Sequence, residues 1–206
     1  MYACAQCTKH ACSAENGKNI SAHCPMNSEA TMNTALRAYE EPENHDFYIN
    51  SSEIEALGYG AWPRIKETVS LCRTMGYRRI GLAFCRGLRK EAKIVDDILR
   101  RNGFEVVSVI CKVGGVDKER VGLTQQQKVH PGSFEPMCNP IAQAMLMNEQ
   151  KTQFNIALGL CVGHDSMFFK YAEALTTTLI AKDRALAHNP VGALYCSEGY
   201  FKSKLE

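Results

Sequence analysis

The sequence predicts an α/β protein: an open, mainly parallel sheet of about four strands with flanking helices, preceded by a small N-terminal four-cysteine module. Three observations carry this expectation. Four short apolar runs, at 79–85, 104–111, 154–161 and 176–181, have the length and composition of strands buried on both faces. Helical patterns alternate with those runs, which calls for parallel pairing with right-handed crossovers. Four cysteines crowd the start of the chain as Cys4-x2-Cys7-x4-Cys12-x11-Cys24-Pro25, over a stretch with little to fill a core.

The elements follow in order. Residues 1–26, punctuated by Gly17, Asn19 and Ser21, fold only as far as their thiols bind something. Asn27 or Ser28 caps a helix carrying Met32, Ala35, Leu36 and Tyr39 on one face, and Pro42 ends it. Ser51 and Ser52 open a second helical run with Ile54 and Leu57, broken by Gly58, Gly60 and Pro63. An apolar stripe of Ile65, Val69, Cys72 and Met75 then runs to Gly76, a residue suited to the position after a helix. Leu88, Ala92, Val95 and Leu99 mark an amphipathic helix between the first two strands.

The polar stretch 117–136 has little periodicity and reads as a long functional loop. Asn139-Pro140 is an N-cap with proline in the first turn, opening a helix with Ile141, Ala144 and Met145. Gly163-His164-Asp165-Ser166 turn into a helix bearing Met167, Phe168 and Tyr171, with Asp165 expected as its N-cap. His188-Asn189-Pro190 repeats the Asn-Pro start before Val191 and Leu194. The domain expectation is a metal or cluster module at 1–26, a helical segment at 27–76 and an α/β domain at 77–206.

Bulk properties narrow the function classes. The 24 basic residues nearly balance 22 acidic ones, for a net charge of +2, which argues against a dedicated nucleic-acid surface. No segment approaches the ~18–20 uninterrupted apolar residues of a membrane helix. The start of the chain lacks the charged and apolar regions of a secretion signal. The expected location is the cytoplasm, where disulfides are uncommon, so the ten cysteines call for metal ligation, redox chemistry or burial.

Two candidate sites emerge. The first is Cys4, Cys7, Cys12 and Cys24, where Cys-x2-Cys offers two thiolates across a tight turn and the later cysteines close a four-sulfur cage. The second depends on topology. Cys85, Cys111 and Cys161 each end an expected strand, and Cys138 precedes a helix start. In an open parallel sheet, strand ends and helix starts share one edge, the edge outside which ligands bind. These four thiols, with His164 and His188, are therefore a second metal or ligand site. Taken singly, each cysteine is equally a buried small residue, and Cys72 is read that way. Lys182-Asp183-Arg184 lies on the same edge and reads either as part of it or as a local ion pair.

The N-terminal pattern resembles the small four-iron–four-sulfur domain of the B-type subunits of ion-translocating ferredoxin oxidoreductases and of acetyl-CoA synthase complexes. The gap before Cys24-Pro25 is shorter here, and the residue after the first cysteine is Ala5. Nearly the whole chain also resembles a prokaryotic family of unknown function, usually labelled cysteine-rich metal-binding proteins. That resemblance rests on the N-terminal cysteines, on Phe134-Glu135-Pro136-Met137-Cys138-Asn139-Pro140-Ile141-Ala142-Gln143-Ala144 and on Gly159-Leu160-Cys161-Val162-Gly163-His164-Asp165-Ser166. It continues through Lys182-Asp183-Arg184 and His188-Asn189-Pro190.

Three functions follow as expectations. The first is an iron–sulfur, redox-related protein with a [4Fe-4S] cluster and a redox partner protein or small-molecule ligand. The second is a zinc protein with a structural N-terminal Zn2+ and a ligand or partner crevice. The third is a metal-independent enzyme using Cys161 or Cys138 as nucleophile, with His164 or His188 as base.

Overall fold

The computed structural model describes residues 1–14 and 20–205. Gly17 and Asn19, read as punctuating the N-terminal module, lie outside the described residues. The chain divides into two compact units, Met1–Leu57 and Gly58–Glu206.

In the first unit, three single 3-10 turns at Cys4–Gln6, Ala11–Ser13 and Pro25–Asn27 lead to helix α1 (Glu29–Tyr39) and helix α2 (Pro42–Gly58). Ser28 is the N-cap of α1, as expected. The stripe on α1 is not buried, however: Met32, Leu36 and Tyr39 are all exposed. The start of α2 is a correction, because it opens at Pro42 rather than at Ser51. Pro42 both ends α1 and begins α2, since a fixed φ and a missing N–H suit a first turn as well as they stop a preceding helix.

The second unit holds a four-stranded sheet, all parallel, in the order β2-β1-β3-β4. Helix α3 (Arg64–Thr74) ends against Gly76, as its stripe predicted. Then β1 (Arg79–Phe84), α4 (Arg89–Arg101) and β2 (Glu105–Ile110) form one parallel crossover unit, followed by the long loop, α5 (Pro140–Glu149) and β3 (Phe154–Leu158). Helix α6 (His164–Tyr171) and β4 (Thr176–Ile180) complete the sheet, and short helices α7 (Val191–Tyr195) and α8 (Lys202–Leu205) follow. The chain leaves β1 toward β2 on one side and returns to β3 on the other, so the topological switch point lies between β1 and β3.

Strand residues sort by period two. Ala83, Ala157, Val107 and Val109 pack with Ala144, Met147, Leu160 and Phe168 of the α5 and α6 side. Leu82 and Ser108 border α4 instead, with Ala92 and Arg89. Ile80, Leu82, Ile156, Leu158 and Leu99 are fully buried, each contributing roughly 1.5–3 kcal/mol. Strand β3 stops at Leu158 because Gly159 takes a left-handed φ of +62°, where an added Cβ would also lie 2.8 Å from Leu88.

Asn139 caps α5 through its side chain, which accepts from the Ala142 N–H. A second correction concerns α6: Gly163, not Asp165, is its N-cap. Asp165 is already helical, and its Oδ1 accepts from the Ser166 N–H at 2.8 Å.

Candidate thiol site at the sheet edge

Cys85 and Cys111 follow β1 and β2 directly, and their odd numbers put them on the face shared with Ala83 and Val109. That face is the one covered by α5 and α6, whose N-terminal ends bring Cys138 and His164 to the same edge. The Cys111 N–H donates to Phe84 O at 2.8 Å, extending the ladder to the cysteines, and the Asn139 N–H donates to Cys111 O at 2.8 Å. Gln143 of α5 is fully buried beneath them, where its Nε2 donates to Val109 O at 2.7 Å and Phe84 O at 3.4 Å. Nothing in the periodicity marked Gln143; its signal was one polar residue within the apolar run from Ile141 to Met147.

The side chains then adjoin in a file. Cys85 adjoins Cys111, Cys111 adjoins Cys138, and Cys138 adjoins His164, each pair close enough to shift its members' protonation. Cations flank both sides: Lys182 Nζ lies 3.2 Å from Cys85 Sγ, and Arg184 Nη2 lies 3.1 Å from Cys161 Sγ. Gly87 lets Lys182 in, since a Cβ there would stand 3.3 Å from Lys182 Nζ and 3.8 Å from Cys85 Sγ. Lys182 and Arg184 thus face thiols rather than forming a local ion pair on a solvated turn. Their signal was that they follow β4 as the cysteines follow β1 and β2.

These contacts divide the thiols electrically. The hydrogen bond from Cys111 lowers the pKa of Cys85, aided by the Gly87 N–H and Lys182 against the effect of burial. Cys138 is lowered by Cys111 and then by His164, with Lys112 adding its charge. Cys111 is pushed up by its neighbours Cys138 and Cys85 and by burial. The neighbouring Cys138 raises the pKa of His164, which favours a thiolate beside an imidazolium in that pair. His164 Nδ1 is nonetheless buried with no hydrogen-bond partner among the described residues.

His188 is placed differently. Its Nδ1 accepts the Asp183 N–H at 3.1 Å, its own N–H donates to Asp183 O, and it adopts a left-handed φ of 64°. Its recorded contacts therefore close the loop after β4 rather than adding to the file. Cys72 is fully buried in α3, as read from its stripe.

In the first unit, three of the four N-terminal thiols border a hollow. Cys4, Cys7 and Cys24 line one cavity of about 270 Å³ with Lys9, Ser21 and His23. Among the described residues that lining does not include Cys12, in the next turn. The Cys7 sulfur accepts backbone hydrogen bonds from His10 and Lys9, which hold its pKa below the ordinary thiol value. Among the described residues no group of three or more His, Cys, Asp or Glu side chains is arranged to hold a metal ion. No described helix is long and apolar enough to cross a membrane.

Comparisons with known proteins place the chain in a family without assigning it an activity. It is 42% identical over 203 residues to the uncharacterized protein MJ0455 of Methanocaldococcus jannaschii, covering 98% of both chains. No solved structure matches it. Residues 24–179 match the model of a protein of unknown function, DUF1847, a span holding Cys85, Cys111, Cys138, Cys161 and His164. The chain belongs to the DUF1847 family.

Proposed function

We propose that this is a metal-binding, redox-related protein whose N-terminal cysteines, Cys4, Cys7, Cys12 and Cys24, hold a [4Fe-4S] cluster. The crevice at the sheet edge is then where a small-molecule ligand or redox partner is handled. The observation that carries the reading is the turn after Cys7. The backbone of His10 and Lys9 lowers the pKa of the Cys7 thiol, and Cys7 shares a cavity with Cys4 and Cys24. Backbone donors on a sulfur favour its thiolate form, the form that ligates metal.

The donor set fits a soft ion or cluster, with four thiolates and the Cys-x2-Cys turn that presents two of them together. Cys4, Cys7 and Cys24 border the cavity, with Cys12 in the next turn, and they do not close on one centre. Such closure is what binding itself accomplishes in small modules, where ligation and folding are one equilibrium. A bound cluster would supply one-electron chemistry; the chain's own residues supply the ligands and the N–H groups that stabilise the charge on sulfur.

The test is anaerobic purification followed by iron, acid-labile sulfide and zinc analysis. A brown protein absorbing near ~400 nm, with iron and sulfide in equal amounts lost in a Cys4→Ser, Cys7→Ser double variant, is the expected result. Stoichiometric zinc in a colourless protein would replace the cluster with a structural Zn2+. Neither metal at stoichiometry would remove the proposal.

A further inference from the structure

The thiols at the sheet edge share a property that metal ligation does not require. Cys85 and Cys111 stand one residue beyond the paired Phe84 and Ile110 of adjacent parallel strands. Neighbouring strands run about 4.8 Å apart, inside the ~4.4–6.8 Å range over which two Cα atoms accept a disulfide. Cys138 also adjoins Cys111, held near it by the hydrogen bond of the Asn139 N–H to the Cys111 carbonyl. Cys111 alone touches both other thiols. A tetrahedral ion wants its sulfurs around one centre at ~2.3 Å, whereas a file with a shared middle member suits exchange between neighbours.

We propose that Cys85, Cys111 and Cys138 form a thiol–disulfide relay that reduces a disulfide-bearing substrate. Exposure sets its direction. Cys138 is half-buried, while Cys111 and Cys85 are 3% and 7% exposed. The substrate therefore meets Cys138 first, next to His164. The low thiol pKa of Cys138 and the raised pKa of His164 agree with this role.

In the first step the Cys138 thiolate attacks one sulfur of R–S–S–R, forming Cys138–S–S–R and releasing RS⁻, which takes the imidazolium proton of His164. Cys111 then attacks the Cys138 sulfur. Its own proton leaves with the second RSH, and a Cys111–Cys138 disulfide remains. The Cys85 thiolate, held by Lys182, attacks Cys111, so the disulfide moves inward to Cys85–Cys111 and Cys138 returns as a thiolate. Two electrons have passed from two protein thiols to the substrate, which leaves as two thiols. An external dithiol regenerates the relay by the reverse exchanges. Nothing in this scheme draws on the N-terminal module, so the metal analysis and the relay stand or fall separately.

The experiment treats reduced full-length protein with oxidised glutathione, quenches with acid, alkylates free thiols and maps disulfides by mass spectrometry. Cys111 is expected in a disulfide with Cys85 or Cys138 that dithiothreitol reverses. A Cys111→Ser variant should instead accumulate a glutathione adduct on Cys138. Cys138→Ser should still form Cys85–Cys111, but at least about tenfold more slowly, for want of the exposed thiolate. Recovery of all three as free thiols in wild-type protein of unchanged circular dichroism would overturn the relay. So would an adduct on Cys138 or Cys161 with no internal disulfide, or disulfides confined to the N-terminal cysteines.

Discussion

Cys72 and Cys138 show how far surroundings separate residues of one type. Burial, outweighing a backbone hydrogen bond that lowers it, pushes the Cys72 thiol up to about 12, while the neighbours Cys111 and His164 pull Cys138 down. For Cys72 the consequence is a stability term. Its folded pKa is raised above the unfolded value near 9, so its contribution is complete below pH 9 and is lost as pH rises toward 12. The slope is at most about 1.4 kcal/mol per pH unit for one proton. A Cys72→Ala variant should be less stable at pH 7 yet lose less than wild type between pH 9 and 12. Paired urea titrations at several pH values measure this, and parallel stability curves would refute it. The sequence reading could place Cys72 in a stripe, because helical periodicity reports burial directly. It could likewise put Cys85, Cys111, Cys138 and Cys161 on one edge, because topology alone decides that. It could not tell that Lys182 reaches Cys85 or that His188 turns to Asp183, since loop conformation after β4 fixes both.

The element that completes the site is the segment joining β2 to α5. It is polar, as the sequence implied, but it is organised by charge rather than left open. Lys128 is buried, with Nζ 3.0 Å from Asp117 Oδ1, 2.9 Å from Glu119 Oε1 and 3.0 Å from Ser133 O. Lys118 pairs with Glu135, and Asp117 bridges Pro136 across the base of the segment. Lys112 Nζ adds a bond to Pro136 O, two residues before Cys138. Composition announces a loop here, but not which of its charges meet, so this scaffold was not legible. Lys128→Met should leave Asp117 and Glu119 facing each other without their cation and loosen the segment. Limited proteolysis should then cut within 117–136 several-fold faster than in wild type, with the rest of the domain unchanged; equal rates would show that Lys118–Glu135 suffices alone. The Lys118 ammonium, with the His130 N–H, holds Glu135 down at about 2. Because this pKa is depressed, the pairing is in place above the ordinary carboxylate pKa and disappears only as pH falls toward 2.

At the scale of the molecule, the fold was legible wherever strand and helix patterns alternate, because an alternating chain has few parallel topologies open to it. Strand order was not, since β2-β1-β3-β4 depends on which way each crossover turns. The first 57 residues escaped the same reasoning for a different cause: among their described residues only Ile54 is buried, so no core constrains them, and apolar residues such as Leu36, Tyr48, Ile49 and Leu57 are exposed. A chain of that size without a core ordinarily needs a metal, a disulfide or an oligomer to hold it. The sheet lies entirely within 58–206, as do the buried apolar residues apart from Ile54. A fragment of residues 58–206 should therefore unfold in one cooperative transition, with the same midpoint with and without a chelator. A fragment of residues 1–57 should instead change its circular dichroism when zinc is added or an iron–sulfur cluster is reconstituted, and lose that change when chelated. Broad, non-cooperative unfolding of 58–206 would mean that its core requires the first unit. Metal-insensitive structure in 1–57 would mean that something other than ligation orders the cysteine module.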